Sequence, residues 1–308
     1  MANSSKCTNS SVDANTKEHL ITASFLSTIG LLGNVFVIVL ILREKQRKST
    51  TTYLLLSLAV ADIVNLLGIE TFAFLEHLMP KHAKESYRVR LITIPARVVA
   101  NLTLGLIALE RYNALVRAMR PFVAITKKKI TIGVIVSWLV GAGVSLPSVI
   151  CEYGQVHGGG GGTYAHKQFL GVLLLVGCIV PLVLVAFCYS SILKGLFLDG
   201  TILGQRVTEE ATMKEKKQLL RTLLVITLVF LTCNVPAAII LLLENYGVSR
   251  WNWTLQLLLA SLSSVLNPYI YGLRSQKHRS ELKELLCKSC CRENDNKKDP
   301  TETCDSKL

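Results

Sequence analysis

The chain has 308 residues, of which 50% are hydrophobic and only 18% are charged, and its mean hydropathy is +0.42. A soluble domain carries about 25% charged residues, so this composition indicates a protein that lies in a bilayer. The net charge of +13 is of the kind found in nucleic-acid-binding proteins. We exclude that partner because most of the basic residues collect on one side of the predicted membrane spans, where they face anionic lipid and cytosolic partners.

Seven apolar segments are long enough to cross a bilayer, which takes about 20 mostly apolar residues in a helix. Asp62 and Arg97 are the only charged residues inside them. The sequence therefore predicts an all-α membrane protein, a seven-transmembrane helix bundle over residues 20–273. In chain order the predicted spans are Leu20–Leu42, Thr52–Ile69, Leu91–Leu109, Ile130–Cys151, Gln168–Leu193, Thr222–Leu243 and Thr254–Leu273.

The segment before the first span, residues 1–19, is polar and has no basic stretch followed by an apolar run. We interpret it as an extracellular tail and not as a cleavable signal peptide. The loops after spans 1, 3 and 5 and the C-terminal tail together hold 24 Lys and Arg residues, not counting Arg111. The N-terminal segment and the loops after spans 2, 4 and 6 together hold eight. The positive-inside rule then predicts a plasma-membrane protein with its N-terminus outside and its C-terminus in the cytoplasm. The glycosylation sequons on the predicted outer side are Asn3, Asn9 and Asn252.

Polar residues lie inside three of the spans at comparable positions: Asn34 in span 1, Asp62 in span 2 and Asn267 in span 7. Polar groups are costly within a membrane, so we expect these side chains to satisfy one another, together with water or a bound cation. A structural role in fixing helix register and a functional role are both open, and they are compatible with each other.

Arg97 lies 14 residues before Arg111, which is nearly a whole number of helical turns. The two arginines should therefore share one face of the helix. Two interpretations of Arg97 are open: a salt bridge to Glu70 of span 2, or the binding of an acidic group of a ligand, which a guanidinium matches well. Glu70 and Arg97 are therefore predicted to line a ligand pocket.

Prolines occur within four consecutive spans, from the fourth to the seventh. Each removes a backbone hydrogen bond and tends to kink its helix, which allows a helix in a bundle to pivot. These prolines are Pro147, Pro181, Pro236 and Pro268.

After the seventh span, residues 274–291 alternate basic residues with leucines, which predicts an amphipathic helix on the membrane surface. Residues 292–308 are predicted to be a disordered cytoplasmic tail. Cys287, Cys290 and Cys291 are candidates for palmitoylation, with unmodified thiols as the alternative. On the outer side Cys7 and Cys151 are the cysteines that can meet an oxidising compartment, and we consider a disulfide between them.

Seven motifs follow one another along these spans. They are Asn34 in GNxxV, Asp62 in LAxAD, Glu110-Arg111-Tyr112, Trp138, Pro181 with Tyr189, Phe230 with Pro236, and Asn267-Pro268-Tyr269-Ile270-Tyr271. With these motifs the chain resembles the rhodopsin-like (class A) G-protein-coupled receptors from about Leu20 to Cys291.

The resemblance implies a ligand-gated conformational switch and not an enzyme. An extracellular ligand in the outer half of the bundle would favour a state in which the inner end of span 6 swings out and opens a cleft for a heterotrimeric G protein. Glu110 would hold Arg111 at rest. The implied switch residues are Glu110, Arg111, Tyr112, Tyr189 and Tyr271, the pivots are Pro181, Phe230, Pro236 and Pro268, and the sodium and water site is Asn34, Asp62 and Asn267.

Three positions depart from the family pattern. Ser86 stands where the family has a cysteine bonded to the second outer loop, and Asn234 replaces a frequent tryptophan. Lys216 stands where many members have an acid that bridges to the arginine. The resting state should then depend on Glu110 alone, which predicts appreciable basal activity.

The resemblance also implies that Thr93 and Asn234 line the ligand pocket together with Glu70 and Arg97. It further narrows the class of ligand. Span 7 has no lysine to bind retinal, and Thr93 replaces the aspartate that pairs with biogenic amines. No large outer domain is present for a glycoprotein hormone. Small acids, lipids and short peptides remain open.

Three other function classes were compared with a signalling receptor. A transporter or channel needs charges or broken helices along a pathway, and we find no internal repeat. A membrane metallohydrolase needs clustered metal ligands, whereas all six histidines fall in loops or tails. A receptor-like protein that does not signal is favoured by Asn234 and Ser86 and opposed by the intact Glu110-Arg111-Tyr112 motif.

Overall fold

The computed structural model describes residues 4–43, 50–77, 87–116, 126–156, 169, 171–197, 224–225, 228–245 and 253–272. Every regular element within these ranges is a helix. The predicted all-α class is confirmed. A single spanning segment can satisfy its backbone hydrogen bonds within itself only as a helix, which explains why apolar runs of this length fold in this way.

Seven α-helices occupy most of the described part of the chain. Helices α1 to α4 each contain the corresponding predicted span, and α7 ends one residue before the predicted end at Leu273. A π-helical turn, Leu175–Ile179, runs into α5, and another, Phe230–Asn234, runs into α6. The helices are α1 (Ser4–Arg43), α2 (Thr50–His77), α3 (Tyr87–Val116), α4 (Lys127–Val156), α5 (Val180–Phe197), α6 (Val235–Asn245) and α7 (Trp253–Gly272).

The first helix begins at Ser4 and so includes most of the segment that we interpreted as a tail, residues 1–19. The membrane-crossing part of α1 is Ser24–Arg43, and the turns before it are polar. Adding residues to an established helix is much easier than starting a new one, because only the first turn carries the nucleation cost. Hydropathy marks where a helix can cross a membrane and not where it begins.

Five helical segments in the described ranges are long and apolar enough to cross a membrane. The apolar stretch around α6 is shorter, Phe230–Ile240. Large apolar side chains also cover the outside of the bundle: Leu139 is 67% exposed, Phe25 66% and Ile92 64%. Such an outer surface suits hydrocarbon and not water. The five segments are Ser24–Arg43, Thr50–Phe72, Leu91–Asn113, Lys127–Pro147 and Gly171–Ile192.

Helix α3 lies at the centre of the packing, where it contacts α2, α4 and α5, while α7 contacts α1, α2 and α6. The main core joins these helices through buried side chains such as Leu58, Val99, Leu104 and Phe230. Helices α2 and α3 approach most closely at Gly68, where an added Cβ would collide with the Thr93 hydroxyl. Small residues permit such close approach between membrane helices.

Candidate functional site

The adjacent acid and base near the end of α3 contact each other directly. Arg111 Nε lies 3.4 Å from Glu110 Oε2, and the two side chains are 28% and 12% exposed. The other carboxylate oxygen, Oε1, accepts hydrogen bonds from the hydroxyls of Thr50 at 3.2 Å and Thr51 at 3.1 Å. Helix α2 therefore fixes the carboxylate that holds the guanidinium, and sequence reasoning missed both threonines.

Three tyrosines were predicted for the switch, and the structure describes the side chains of two of them, Tyr112 and Tyr189, which pack against the main core. The ring of Tyr112 meets that of Phe187 edge-on, with centroids 6.2 Å apart, which joins α3 to α5. Tyr189 is half-buried against the main core. Tyr271 lies in α7, but its side chain is outside the described residues.

Asp62, Asn267 and Asn34 are buried together between α1, α2 and α7, at 0%, 5% and 2% exposure. Asn267 Nδ2 donates to Asp62 Oδ2 at 2.8 Å. Asn34 does not bond to either of them: its Nδ2 donates to the backbone oxygens of Gly30 at 2.9 Å and Ser264 at 3.2 Å. The three predicted members of the network therefore lie in one region but bond through different partners.

Two further residues extend this network, and helical spacing could have found both. Asn65 Nδ2 donates to Ser264 Oγ at 3.1 Å. Asn65 follows Asp62 by three residues, and Ser264 precedes Asn267 by three, so each lies one turn from a predicted member. Asp62 Oδ1 and Asn65 Oδ1 are buried and have no hydrogen-bond partner among the described residues.

Arg97 is half-buried in α3 and makes no ion pair with any residue that the structure describes. Of the two open interpretations, the salt bridge to Glu70 is wrong. Glu70 Oε2 instead accepts a hydrogen bond from Ser24 Oγ of α1 at 2.8 Å.

The helical wheel explains why Glu70 turns away from Arg97. Gly68 packs on Thr93 of α3. Glu70 lies two residues later, which is about 200° around the helix, so it faces α1. Thr93 itself donates to the backbone oxygen of Val89 at 2.9 Å.

Asn234 is 3% exposed at the end of the π-helical turn before α6, and both its amide oxygen and its amide nitrogen lack a partner among the described residues. Buried polar groups are normally hydrogen-bonded, so an amide with no partner among the described residues is unusual. Phe230 begins the same turn and is 1% exposed in the main core. The predicted pivot Pro236 follows it within α6.

Several predicted sites fall outside the part of the chain that the structure describes. For Asn9, Cys7 and Cys151 only the helical backbone is described, and their side chains are not. The remaining positions outside the description are Asn3, Ser86, Lys216, Asn252, Cys287, Cys290 and Cys291.

Comparison with known proteins agrees with this geometry. The model of the 7 transmembrane receptor (rhodopsin family) matches residues 33–271. The chain belongs to this family: it is a class A G-protein-coupled receptor, a multi-pass membrane protein and not an enzyme.

The chain is similar to receptors from insects and mammals. It is 26% identical to the allatostatin-A receptor of Bombyx mori over 85% of this chain and 77% of that protein. It is 26% identical to C-C chemokine receptor type 6 of Homo sapiens over 87% of this chain and 76% of that protein. It is 28% identical to somatostatin receptor type 4 of Rattus norvegicus over 85% and 71%, respectively.

Proposed function

We propose that this receptor carries a signal from an extracellular ligand to a heterotrimeric G protein through an outward movement of α6. The observation that supports it best is the Glu110–Arg111 contact at the end of α3. An acid that holds an arginine in a partly exposed position stabilises one packing of the bundle, and a ligand that prefers another packing shifts the population. Arg111, once released, is available to the G protein.

The ligand enters on the side of the bundle that holds Arg97. Burying a guanidinium without a partner is costly, and Arg97 has no acidic partner among the described residues. A ligand carboxylate would supply the missing partner with two parallel hydrogen bonds. Asn234, whose amide is also unsatisfied, would bind a neutral polar group of the same ligand.

A short peptide fits these two groups better than a lipid, because a peptide carries both carboxylates and amides. The similar receptors named for allatostatin A and somatostatin are peptide receptors, which supports the same choice. Glu70, held by Ser24 on the α1 side, would lie at the edge of this pocket and not beside Arg97.

The network around Asp62 fits a sodium ion. Asp62 Oδ1 and Asn65 Oδ1 are buried oxygens without partners, and hard cations prefer oxygen ligands. The described residues contain no group of three His, Cys, Asp or Glu side chains that would hold a transition metal. A bound sodium ion would neutralise the Asp62 carboxylate in the resting packing, and the residues Asn34 and Asn267 would keep its helices in place.

The topology belongs to the same proposal. The N-terminus and the sequons Asn3, Asn9 and Asn252 face outward, and the tail with Cys287, Cys290 and Cys291 faces the cytoplasm, where palmitoyl chains would anchor it to membrane lipids.

A peptide screen tests the proposal. Cells expressing the receptor are exposed to a library of short peptides, each with a free and an amidated C-terminus, while activation of several G-protein families is recorded. We expect a peptide agonist whose potency falls at least tenfold on Arg97→Gln and less on Arg97→Lys, which keeps the charge. Agonist potency that is equal in wild type and Arg97→Gln at matched surface expression would exclude Arg97 as the acid-binding group. Peptide binding without any G-protein signal would identify a receptor that does not signal.

A further inference from the structure

Asn101 is a polar residue in the middle of α3 that belongs to neither predicted network. Its side chain is buried, at 7% exposure, and its Nδ2 donates to the backbone oxygen of Gly177 at 2.8 Å. Gly177 lies in the π-helical turn Leu175–Ile179 before α5. Because an amide buried in a membrane span is costly unless it is hydrogen-bonded, this contact explains how α3 tolerates an asparagine there.

The Gly177 oxygen needs a donor because of Pro181. In a regular α-helix the oxygen of residue 177 would accept from the N–H of residue 181, which is a proline without an N–H. The preceding turn has widened, and the N–H of Val180 donates to the oxygen of Leu175, five residues back. The Asn101 side chain of α3 therefore supplies the Gly177 oxygen with the hydrogen-bond donor that Pro181 lacks.

The same arrangement occurs at α7. Asn34 of α1 donates to the oxygen of Ser264 at 3.2 Å, and Ser264 lies four residues before Pro268.

We propose that Asn101 is a positioning residue that ties the Pro181 turn of α5 to α3 and so stabilises the resting packing. This inference rests on the proposed function for its signalling consequence. The tie itself is a property of the folded bundle and can be measured separately.

A double-mutant cycle on the full-length receptor tests the tie. Asn101→Leu leaves the Gly177 oxygen without its donor, so we expect the apparent melting temperature to fall by about 4 °C. In Pro181→Ala the backbone N–H of residue 181 can reach that oxygen, so Asn101→Leu added to this background should cost at most half as much. Equal losses in the two backgrounds would overturn the proposal.

Thr103→Val is the matched control. Thr103 lies two residues along α3, is fully buried, and its hydroxyl has no partner among the described residues. We expect no loss of melting temperature from this change, and a loss as large as that of Asn101→Leu would overturn a specific role for the Asn101 contact. If Asn101→Leu fails to reach the cell surface, surface expression becomes the readout. Recovery of surface expression in the double variant Asn101→Leu/Pro181→Ala supports the tie. If neither the single nor the double variant reaches the surface, the proposal is overturned.

The signalling readout separates positioning from a purely structural role. We expect Asn101→Leu to raise basal G-protein activation by up to about fivefold per surface receptor, whereas Thr103→Val leaves it unchanged. If the melting temperatures show coupling between Asn101→Leu and Pro181→Ala while Asn101→Leu leaves the basal signal unchanged, the positioning role is overturned. If wild type shows no G-protein signal at all, the proposed function fails, and the melting-temperature cycle still decides whether the tie exists.

Discussion

Replacing Glu110 by glutamine tests the restraint on Arg111 most selectively. Glutamine keeps an oxygen that can accept from Thr50 and Thr51, and it removes the charge that holds the guanidinium. Two unit charges 3.4 Å apart attract by about 5 kcal/mol at an effective dielectric constant of about 20. The side chains are 28% and 12% exposed, and exposed ion pairs contribute at most about 1 kcal/mol.

On the proposed function, the contact would stabilise the resting packing by about 1–2 kcal/mol, which is a factor of about 5–30 in the ratio of resting to active receptor. We expect Glu110→Gln to raise basal G-protein activation toward that range, measured by separation of the G-protein subunits in cells at matched surface expression. Thr50→Val/Thr51→Val, which frees the carboxylate without removing its charge, should give a smaller rise. An unchanged basal signal in Glu110→Gln would refute the restraint.

Two further predictions concern stability. Gly68→Ala should lower the apparent melting temperature, because the added Cβ would meet the Thr93 hydroxyl and overpacking costs about 1–3 kcal/mol. Gly143→Ala is the control: its Cβ would meet nothing within 4 Å, so this change should cause no loss of melting temperature. If both alanines behave alike, the close approach of α2 and α3 is not a constraint. The melting temperature of the wild type should be higher in sodium chloride than in choline chloride. Asp62→Asn should abolish this difference, while its side-chain oxygen can still accept a hydrogen bond from Asn267. A sodium effect that persists in this variant would place the ion elsewhere.

The sequence predicted the class of fold well because a bilayer imposes a simple physical rule. Long apolar runs that each cross a bilayer must be helices, and α1 to α4 each contain the predicted span. Hydropathy could not place the start of α1 at Ser4, because the polar turns before the membrane lack that signal. It also could not distinguish a kink from the π-helical turns before α5 and α6, since both follow from a proline within a span.

The side-chain partners were harder to predict than the residues themselves. Helical spacing placed Arg97 on the inward face of α3, but the partner of Glu70 depends on which helix lies beside α2, and that helix is α1. In the sequence, Asn101 is marked only by the sequon Asn101-Leu102-Thr103, which lies inside a predicted span. Its contact with Gly177 depends on the relative height of α3 and α5, which one sequence without contacts does not encode.

The central claim is that Arg111 transmits the state of the bundle to a G protein. The most direct measurement compares basal G-protein activation by wild type and by Arg111→Ala in the same cells at equal surface expression. Arg111 contacts Glu110 but reaches no other acid among the described residues, so a measurable fraction of wild-type receptors should already be active. We predict a wild-type signal clearly above that of Arg111→Ala. Equal signals from the two receptors, both at the level of cells without receptor, would contradict the account.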